Sequence, residues 1–462
     1  MSRPARKPRT ETPYELTIGE IAPGGDGVAV IEHAGERRAV FVRGAAPGDR
    51  LAARVDFRSR PACGQLVELL TPGIERVDPP CPHVVRCGAC NWMHLTANAQ
   101  TRIHEEHVRS ALPETWRALP IRVIPAAAEL HYRTRARVHV RVSGGRAIVG
   151  MHAHQSHDPV EVDACRVLHP AIERARLSLA PLFEGTHGTG EVELALGPLD
   201  AHAAQDSESR PFVLAVRWSG ALPAETYARF DRAIAAGALR GARIVCGEAT
   251  RPSNLGDPTP WMMGADGSPL QLAPGGFAQA SEAGNLVLAR RMGELAHEVT
   301  RATQAAGATI VELYAGAGNF TVLLAREPLG VIAVESNGEA CQAARANLAA
   351  RALEAKVVEM DAATYALPKS LHLLVLDPPR TGARAVAEQL VSRSAHLARS
   401  ARSSRPAQAA RFVLYVSCDL ATLGRDLRIL SQAYVPRTLE AFELFPQTSH
   451  LETAILLERH PR

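Results

Sequence analysis

Lysine is nearly missing from this chain. In 462 residues it occurs only at Lys7, Lys356 and Lys369, so almost all of the positive charge is arginine. Arginine makes bidentate phosphate contacts and stacks on bases. An arginine-rich chain is also what a GC-rich coding sequence yields, so the balance leans toward nucleic acid without selecting it. Also missing is any apolar run of transmembrane length, which excludes a helical membrane span. No signal-peptide pattern is present, which predicts a cytoplasmic protein, and no repeat of useful period appears. What remains is a chain with 46% apolar residues and a net charge of +4, long enough for two or three globular domains.

Residues 1–12 are basic and proline-bearing and are predicted to be disordered. Residues 13–72 read as short alternating strands (Glu15–Ile21, Val28–Ile31, Ala39–Val42, Leu51–Phe57, Gly64–Leu70) split by tight turns, the pattern of a small barrel of the OB type. Residues 73–275 mix strands (Arg135–Val142, Glu191–Leu196, Phe212–Trp218, Arg243–Cys246) with helices around Gln100–Leu112 and Ala224–Ala236, a mixed α+β domain. Within it, Leu199–Pro211 reads as a surface loop. From residue 276 to 462, strands alternate with amphipathic helices, which predicts an α/β, doubly wound, Rossmann-like domain; His396–Ala410 reads as an exposed excursion from it.

The chemistry concentrates in that last domain. The strand Thr309–Ala315 runs into Gly316-Ala-Gly318-Asn319, where glycines let a ligand approach the backbone at a strand-to-helix turn. The sixth position of the dinucleotide fingerprint is Thr321, so that motif is incomplete. Glu335 ends the next strand, where an acid can hold ribose hydroxyls, and the pair predicts an adenosyl cofactor. Asp377-Pro-Pro-Arg380 is a stiff loop at another strand end, on the side where ligands bind. Cys418 follows the apolar strand Phe412–Ser417 and precedes a helix whose N-terminus would lower the thiol pKa. Glu452 stands just before one last apolar strand on the same sheet edge.

A second thiol pattern lies upstream. Cys81-x5-Cys87-x2-Cys90, with Cys165 as the best-placed fourth, predicts a metal site; four thiolates suit zinc or an iron–sulfur cluster, and spacing does not separate them. Cys63, Cys246 and Cys341 read as apolar filler.

Together, ELYAGAGNFT, LDPPRTGA, YVSCDLATLGRDL and FPQTSHLETAILLER, with the cysteine set, resemble the RNA uracil-C5 methyltransferase family over nearly the whole chain. The resemblance implies a TRAM domain at the N-terminus, a four-iron four-sulfur site on Cys81, Cys87, Cys90 and Cys165, and an S-adenosylmethionine-dependent methyltransferase domain. It makes Cys418 the nucleophile and Glu452 the general base. It assigns Gln279, Tyr314, Asn319, Glu335, Asp361 and Asp377 to S-adenosylmethionine or its surroundings. The implied partner is RNA, ribosomal favoured over transfer RNA, methylated by a monomer on a flipped or single-stranded uridine.

Three departures stand out. The family's Phe-x-Gln-x-Asn reads Phe277-Ala-Gln279-Ala-Ser281, Cys-Gly-Gly-Cys reads Cys87-Gly-Ala-Cys90, and Ser-Cys-Asn-Pro reads Ser417-Cys418-Asp419-Leu420. The acid at Asp419 is expected to raise the thiol pKa. Two other classes stay open here: an RNA-binding relative that has lost turnover, prompted by Ser281 and Asp419, and an iron–sulfur redox enzyme with a nicotinamide cofactor, which the incomplete fingerprint disfavours.

Overall fold

The protein is seen here as a computed structural model describing residues 12–198, 210–249, 251–301, 307–399 and 409–460. The N-terminal tail before residue 12, loop residues 199–209 and residues 400–408 of the predicted excursion lie outside the described residues. The start of that excursion is the end of a helix, Arg384–Arg399. The chain divides into two compact units: residues up to His104 together with Pro446–Ser449, and Glu105–Phe445 with the residues from His450 on.

In the first unit, strands Tyr14–Thr17, Glu20–Ile21, Gly27–His33, Glu36–Val42, Arg50–Asp56 and Ala62–Thr71 form one sheet, in the spatial order first, fifth, sixth, fourth, third, second. Alternation along Arg50–Asp56 turns Leu51, Ala53 and Val55 inward, onto Leu16, Val40 and Val42. The same unit contains a hydrogen-bond array built from distant parts of the chain. Trp92 N donates to Gln447 O (3.0 Å), Gln447 N to Gln100 Oε1 (2.8 Å) and Gln100 Nε2 to Gln447 Oε1 (3.1 Å). Asn91 and Ser449 exchange two more bonds at 3.0 Å.

The larger unit holds two main sheets. One has seven strands, including Arg135–Ser143, Gly188–Leu196, Phe212–Trp218 and Gly241–Cys246. These reproduce the predicted strands to within a few residues. The other has eight strands, in the order Lys356–Glu359, Gly330–Glu335, Thr309–Leu313, Leu371–Leu376, Phe412–Ser417, Glu452–Arg459, Tyr434–Phe442, Arg122–Ile124. The first five are parallel, and Glu452–Arg459 runs antiparallel to both neighbours. Leu371–Leu376 and Phe412–Ser417 are buried at every position, as expected of a parallel sheet covered on both faces. Helix Glu282–Thr300 packs Leu288, Met292 and Leu295 on one face, and Val386, Leu390, Leu423 and Leu427 from two other helices join the core on the other. Chain order reverses direction between Thr309–Leu313 and Leu371–Leu376, the crevice where such sheets take ligands.

Candidate active site

Strand register alone brings the two reacting candidates together. Ser417 pairs with Thr453 in the antiparallel ladder, so the next residues outward, Cys418 and Glu452, face each other at the carboxyl edge of the sheet. Thr453 Oγ1 fixes the end of this ladder by donating to Ser417 O (3.0 Å). Asp377 extends the neighbouring parallel strand to the same edge.

The electrostatics of this half are set by burial. Glu452 is 3% exposed, and its Oε2 has no hydrogen-bond partner among the described residues. Burial, reinforced by Asp377, raises its carboxyl well above the usual range; a hydrogen bond from Gln279 and the charge of Arg380 oppose this. Asp377 is half-buried as a residue, yet its carboxyl is enclosed deeply enough that burial alone lifts it to about 7. Cys418 is pushed up to about 11, chiefly by burial and then by Glu452 and Asp377, with Arg380 pulling down.

The thiol shift corrects the sequence expectation. A helix, Leu420–Leu430, does begin beside Cys418, but the amide of Thr422 in its first turn is already taken, donating to Asp419 Oδ1 (2.8 Å). The expected effect of Asp419 on the thiol is also misplaced, because the charges that raise it are Glu452 and Asp377. Ser281, the other departure, caps helix Glu282–Thr300 by accepting from Gly284 N (3.1 Å). Asparagine, aspartate and serine are all good N-caps, so both departures keep the capping role.

The second half of the site is the glycine turn. Tyr314, Gly316 and Gly318 all have positive φ (65°, 56° and 84°), and a Cβ on Gly318 would lie 3.3 Å from Ala344. The turn exposes Gly316 N, which donates to Glu335 Oε2 (3.0 Å), while Asn337 N donates to Glu335 Oε1 (2.8 Å). Ser336 Oγ also donates to Oε1 (3.3 Å), so Oε2 is the oxygen that keeps a lone pair for a further donor. Asn319 and Asn285 exchange amide hydrogen bonds of 2.8 and 3.1 Å. Asp361 folds onto its own turn, Oδ1 accepting from Ala363 N (2.9 Å), and after burial it is the largest influence raising the Tyr314 phenol. Below the turn, Glu312 is fully enclosed and accepts from Thr321 Oγ1; burial, with Asp377 and Glu335, lifts it to about 8. Gln279 is buried, and residues on both sides of it are tied to Thr134 and Arg135. Thr134 N donates to Ala280 O (2.9 Å), Glu282 N to Thr134 Oγ1 (3.0 Å), and Arg135 bonds both Glu193 and Gly276 O.

Tyr314, Gly316, Gly318, Asn319, Glu335, Asp361, Asp377 and Cys418 thus follow the carboxyl ends of parallel strands of one sheet, with Glu452 at the same edge and Gln279 hydrogen-bonded to Glu452. The other thiols are placed differently. Cys81, Cys87 and Cys90 belong to the first unit and Cys165 to the second. None of the eight cysteines is in a disulfide, and among the described residues no group of three or more His, Cys, Asp and Glu side chains is arranged to hold a metal ion. Sequence reasoning missed Arg380 as a charge on the thiol and Asn285 as the partner of Asn319. It also missed Thr422, Arg425 and Asp426, which grip the Asp377–Ala383 loop. A buried Asn and Asp on otherwise apolar helix faces were the available signals.

A family model described as tRNA (Uracil-5-)-methyltransferase matches residues 275–460. A 23S rRNA (uracil(1939)-C(5))-methyltransferase of Halomonas elongata is 33% identical, the match covering 99% of this chain and 91% of the relative. One from Pseudomonas entomophila is 30% identical, covering 96% and 93%. Among solved structures, a Pyrococcus abyssi tRNA (uracil-54, C5)-methyltransferase in complex with S-adenosyl-L-homocysteine superposes with a TM-score of 0.69. It is 18% identical, over 96% of this chain and 100% of that one, a likeness of fold.

Proposed function

From the premise that the chain belongs to the RNA uracil-C5 methyltransferase family, we propose that it methylates C5 of a uridine in ribosomal RNA, using S-adenosylmethionine. The observation that carries this reading is the register that sets Cys418 opposite Glu452, with Asp377 and Arg380 acting on both. Uracil C5 is a poor nucleophile until a thiolate adds at C6 and pushes the ring electrons onto the C4 oxygen. In this reading Cys418 Sγ, after losing its proton to solvent, forms that bond as a thiolate. Bound S-adenosylmethionine supplies the electrophilic methyl group that C5 takes up. Glu452 then accepts the C5 proton as the C6–sulfur bond breaks, and Cys418 leaves as a thiolate. A carboxylate held in surroundings that favour its protonated form is a strong base once ionised. Arg380 is the cation that favours the anionic form of both groups.

The residues present suit the cofactor. The positive-φ turn, the exposed side of Gly316, where a Cβ would touch nothing within 4 Å, and the carboxylate of Glu335 form a cradle for a nucleoside. Gln279, Tyr314, Asn319, Asp361 and Asp377 would complete it.

We read residues 13–72 as a TRAM-type RNA-binding barrel, supported by the order of its six strands. Cys81, Cys87, Cys90 and Cys165 are proposed ligands of a four-iron four-sulfur cluster, supported by the donor set; no step of the reaction passes through it. Anaerobically purified protein should then carry iron and sulfide in near-equal amounts, whereas stoichiometric zinc without iron would recast the site. The protein is proposed to act as a cytoplasmic monomer; no described helix is long and apolar enough to cross a membrane.

The deciding experiment uses Glu452→Gln with RNA and labelled cofactor. Addition and methyl transfer precede loss of the C5 proton, so a methylated protein–RNA adduct should accumulate, survive denaturing electrophoresis and vanish in the Cys418→Ala, Glu452→Gln double variant. Full turnover without adduct would assign the base elsewhere. Mapping 5-methyluridine in ribosomal and transfer RNA of a deletion strain separates the two substrates.

A further inference from the structure

The loop from Asp377 to Ala383 carries the charges that act on the nucleophile, and one face of the helix that starts beside the nucleophile grips it. Thr422, Arg425 and Asp426 share that face, being three and four residues apart. Thr422 Oγ1 donates to Arg380 O (3.1 Å), and Arg425 Nη2 donates to Thr381 O (2.8 Å). Asp426 is 0% exposed; its Oδ2 accepts from Ala383 N (2.7 Å) and the Tyr415 hydroxyl (2.8 Å), its Oδ1 from Arg425 Nε (2.8 Å). Gly382 fits between them with φ of 73°, and a Cβ there would come within 2.6 Å of both Arg425 and Asp426. A fully buried carboxylate with three hydrogen-bond donors is costly to place and grips strongly once satisfied.

We propose that Asp426 is a positioning residue: by anchoring Ala383 and Arg425 it locks the Asp377–Ala383 loop to the nucleophile helix and so keeps the Arg380 guanidinium where it acts on Cys418 and Glu452. This rests on Cys418 being the reacting thiol. The charged groups acting on that thiol are Glu452, at the start of strand Glu452–Arg459, and Asp377 and Arg380, both in the loop. Those about Asp426 are Arg425, Tyr415 and Tyr314.

The test is alkylation of Cys418 by iodoacetamide in the full-length protein, followed across pH on the Cys418 peptide by mass spectrometry. Asp426→Asn keeps the size but loses an acceptor for Ala383 N. The loosened Arg380 should move the Cys418 profile up by roughly one pH unit, about a tenfold slower reaction at fixed pH. Methylation kcat should fall by a similar factor with cofactor affinity unchanged. Mere removal of a nearby negative charge would act in the opposite direction. In an Arg380→Gln background, Asp426→Asn should add nothing to the profile. An unchanged or accelerated Cys418 profile in folded Asp426→Asn, or an undiminished effect in the Arg380→Gln background, overturns the proposal. Should Asp426→Asn fail to fold, Arg425→Gln, at a partly exposed position, replaces it; about a threefold slowing is expected, and no slowing overturns the proposal. Because alkylation needs neither RNA nor methyl transfer, its outcome is independent of whether Cys418→Ala abolishes methylation.

Discussion

The two halves of the site are built on opposite terms. Around the glycine turn, polar groups satisfy one another: Glu335 holds two backbone amides, and Asn285 and Asn319 close a reciprocal pair. Around Cys418, a thiol and two carboxyls crowd together under burial, and Glu452 keeps an oxygen with no hydrogen-bond partner among the described residues. The first half is preorganised to receive a ligand that brings its own hydroxyls. In the second, burial favours the neutral form of each group, so that a proton taken up by Glu452 is held firmly. Binding needs satisfied scaffolds, and proton transfer needs groups whose preferred state lies close to the other one.

The sharpest way to separate the halves is Cys418→Ala. It should abolish methylation, a loss of at least about ten-thousandfold, while calorimetric binding of S-adenosylmethionine stays nearly intact; methylation at a comparable rate would end the covalent reading. Glu335→Gln should do the reverse. One side of the amide cannot accept, so one of the bonds from Gly316 and Asn337 is lost, and cofactor affinity should fall by roughly tenfold, the scale of a charge-assisted hydrogen bond. The alkylation profile of Cys418 should not move; a shift there would mean the halves are coupled.

Glu312→Gln should leave the chemistry of both halves least affected, and it reads stability. The buried carboxyl binds its proton more tightly folded (about 8) than unfolded (4.5). The folded state therefore keeps the proton while the unfolded chain loses it, and stability drains away as pH rises from about 4.5 to 8, by up to about 1.4 kcal/mol per pH unit. Asp377 acts in the same sense up to about 7. The glutamine can still accept from Thr321, so the variant should be more stable than the parent at pH 8, with a flatter pH dependence in thermal unfolding. An unchanged slope would show that Glu312 is not held protonated.

Periodicity made much of this architecture legible. Continuous apolar runs such as Leu371–Leu376 and Phe412–Ser417 can only be central strands, and their ends located Asp377 and Cys418. The strand Arg122–Ile124 was not legible: three residues carry no period, and it joins the sheet by pairing with Glu440–Phe442, far along the chain. The direction of the thiol shift was missed for a related reason. A helix N-terminus is visible in sequence, whereas the burial of the thiol, and then the charges of Glu452 and Asp377 beside it, depend on register between distant strands. Ser281 and Asp419 looked like losses because a motif records residue identity, while the helices require only an acceptor at the cap.

The hydrogen bonds joining Trp92 and Gln100 to Gln447 have a consequence for how the chain is made. They span 347 residues between Gln100 and Gln447, so the buried amide of Gln100 has no complete set of partners until those intervening residues have left the ribosome. Synthesis proceeds from the N-terminus, yet the first compact unit is closed by residues translated after most of the second. A nascent or truncated chain ending before Pro446 carries that unit with a gap in its interior, exposed to chaperones and proteases. The four residues that fill the gap lead directly toward Glu452, so sealing the N-terminal unit and delivering the proposed base come in one late event of biosynthesis.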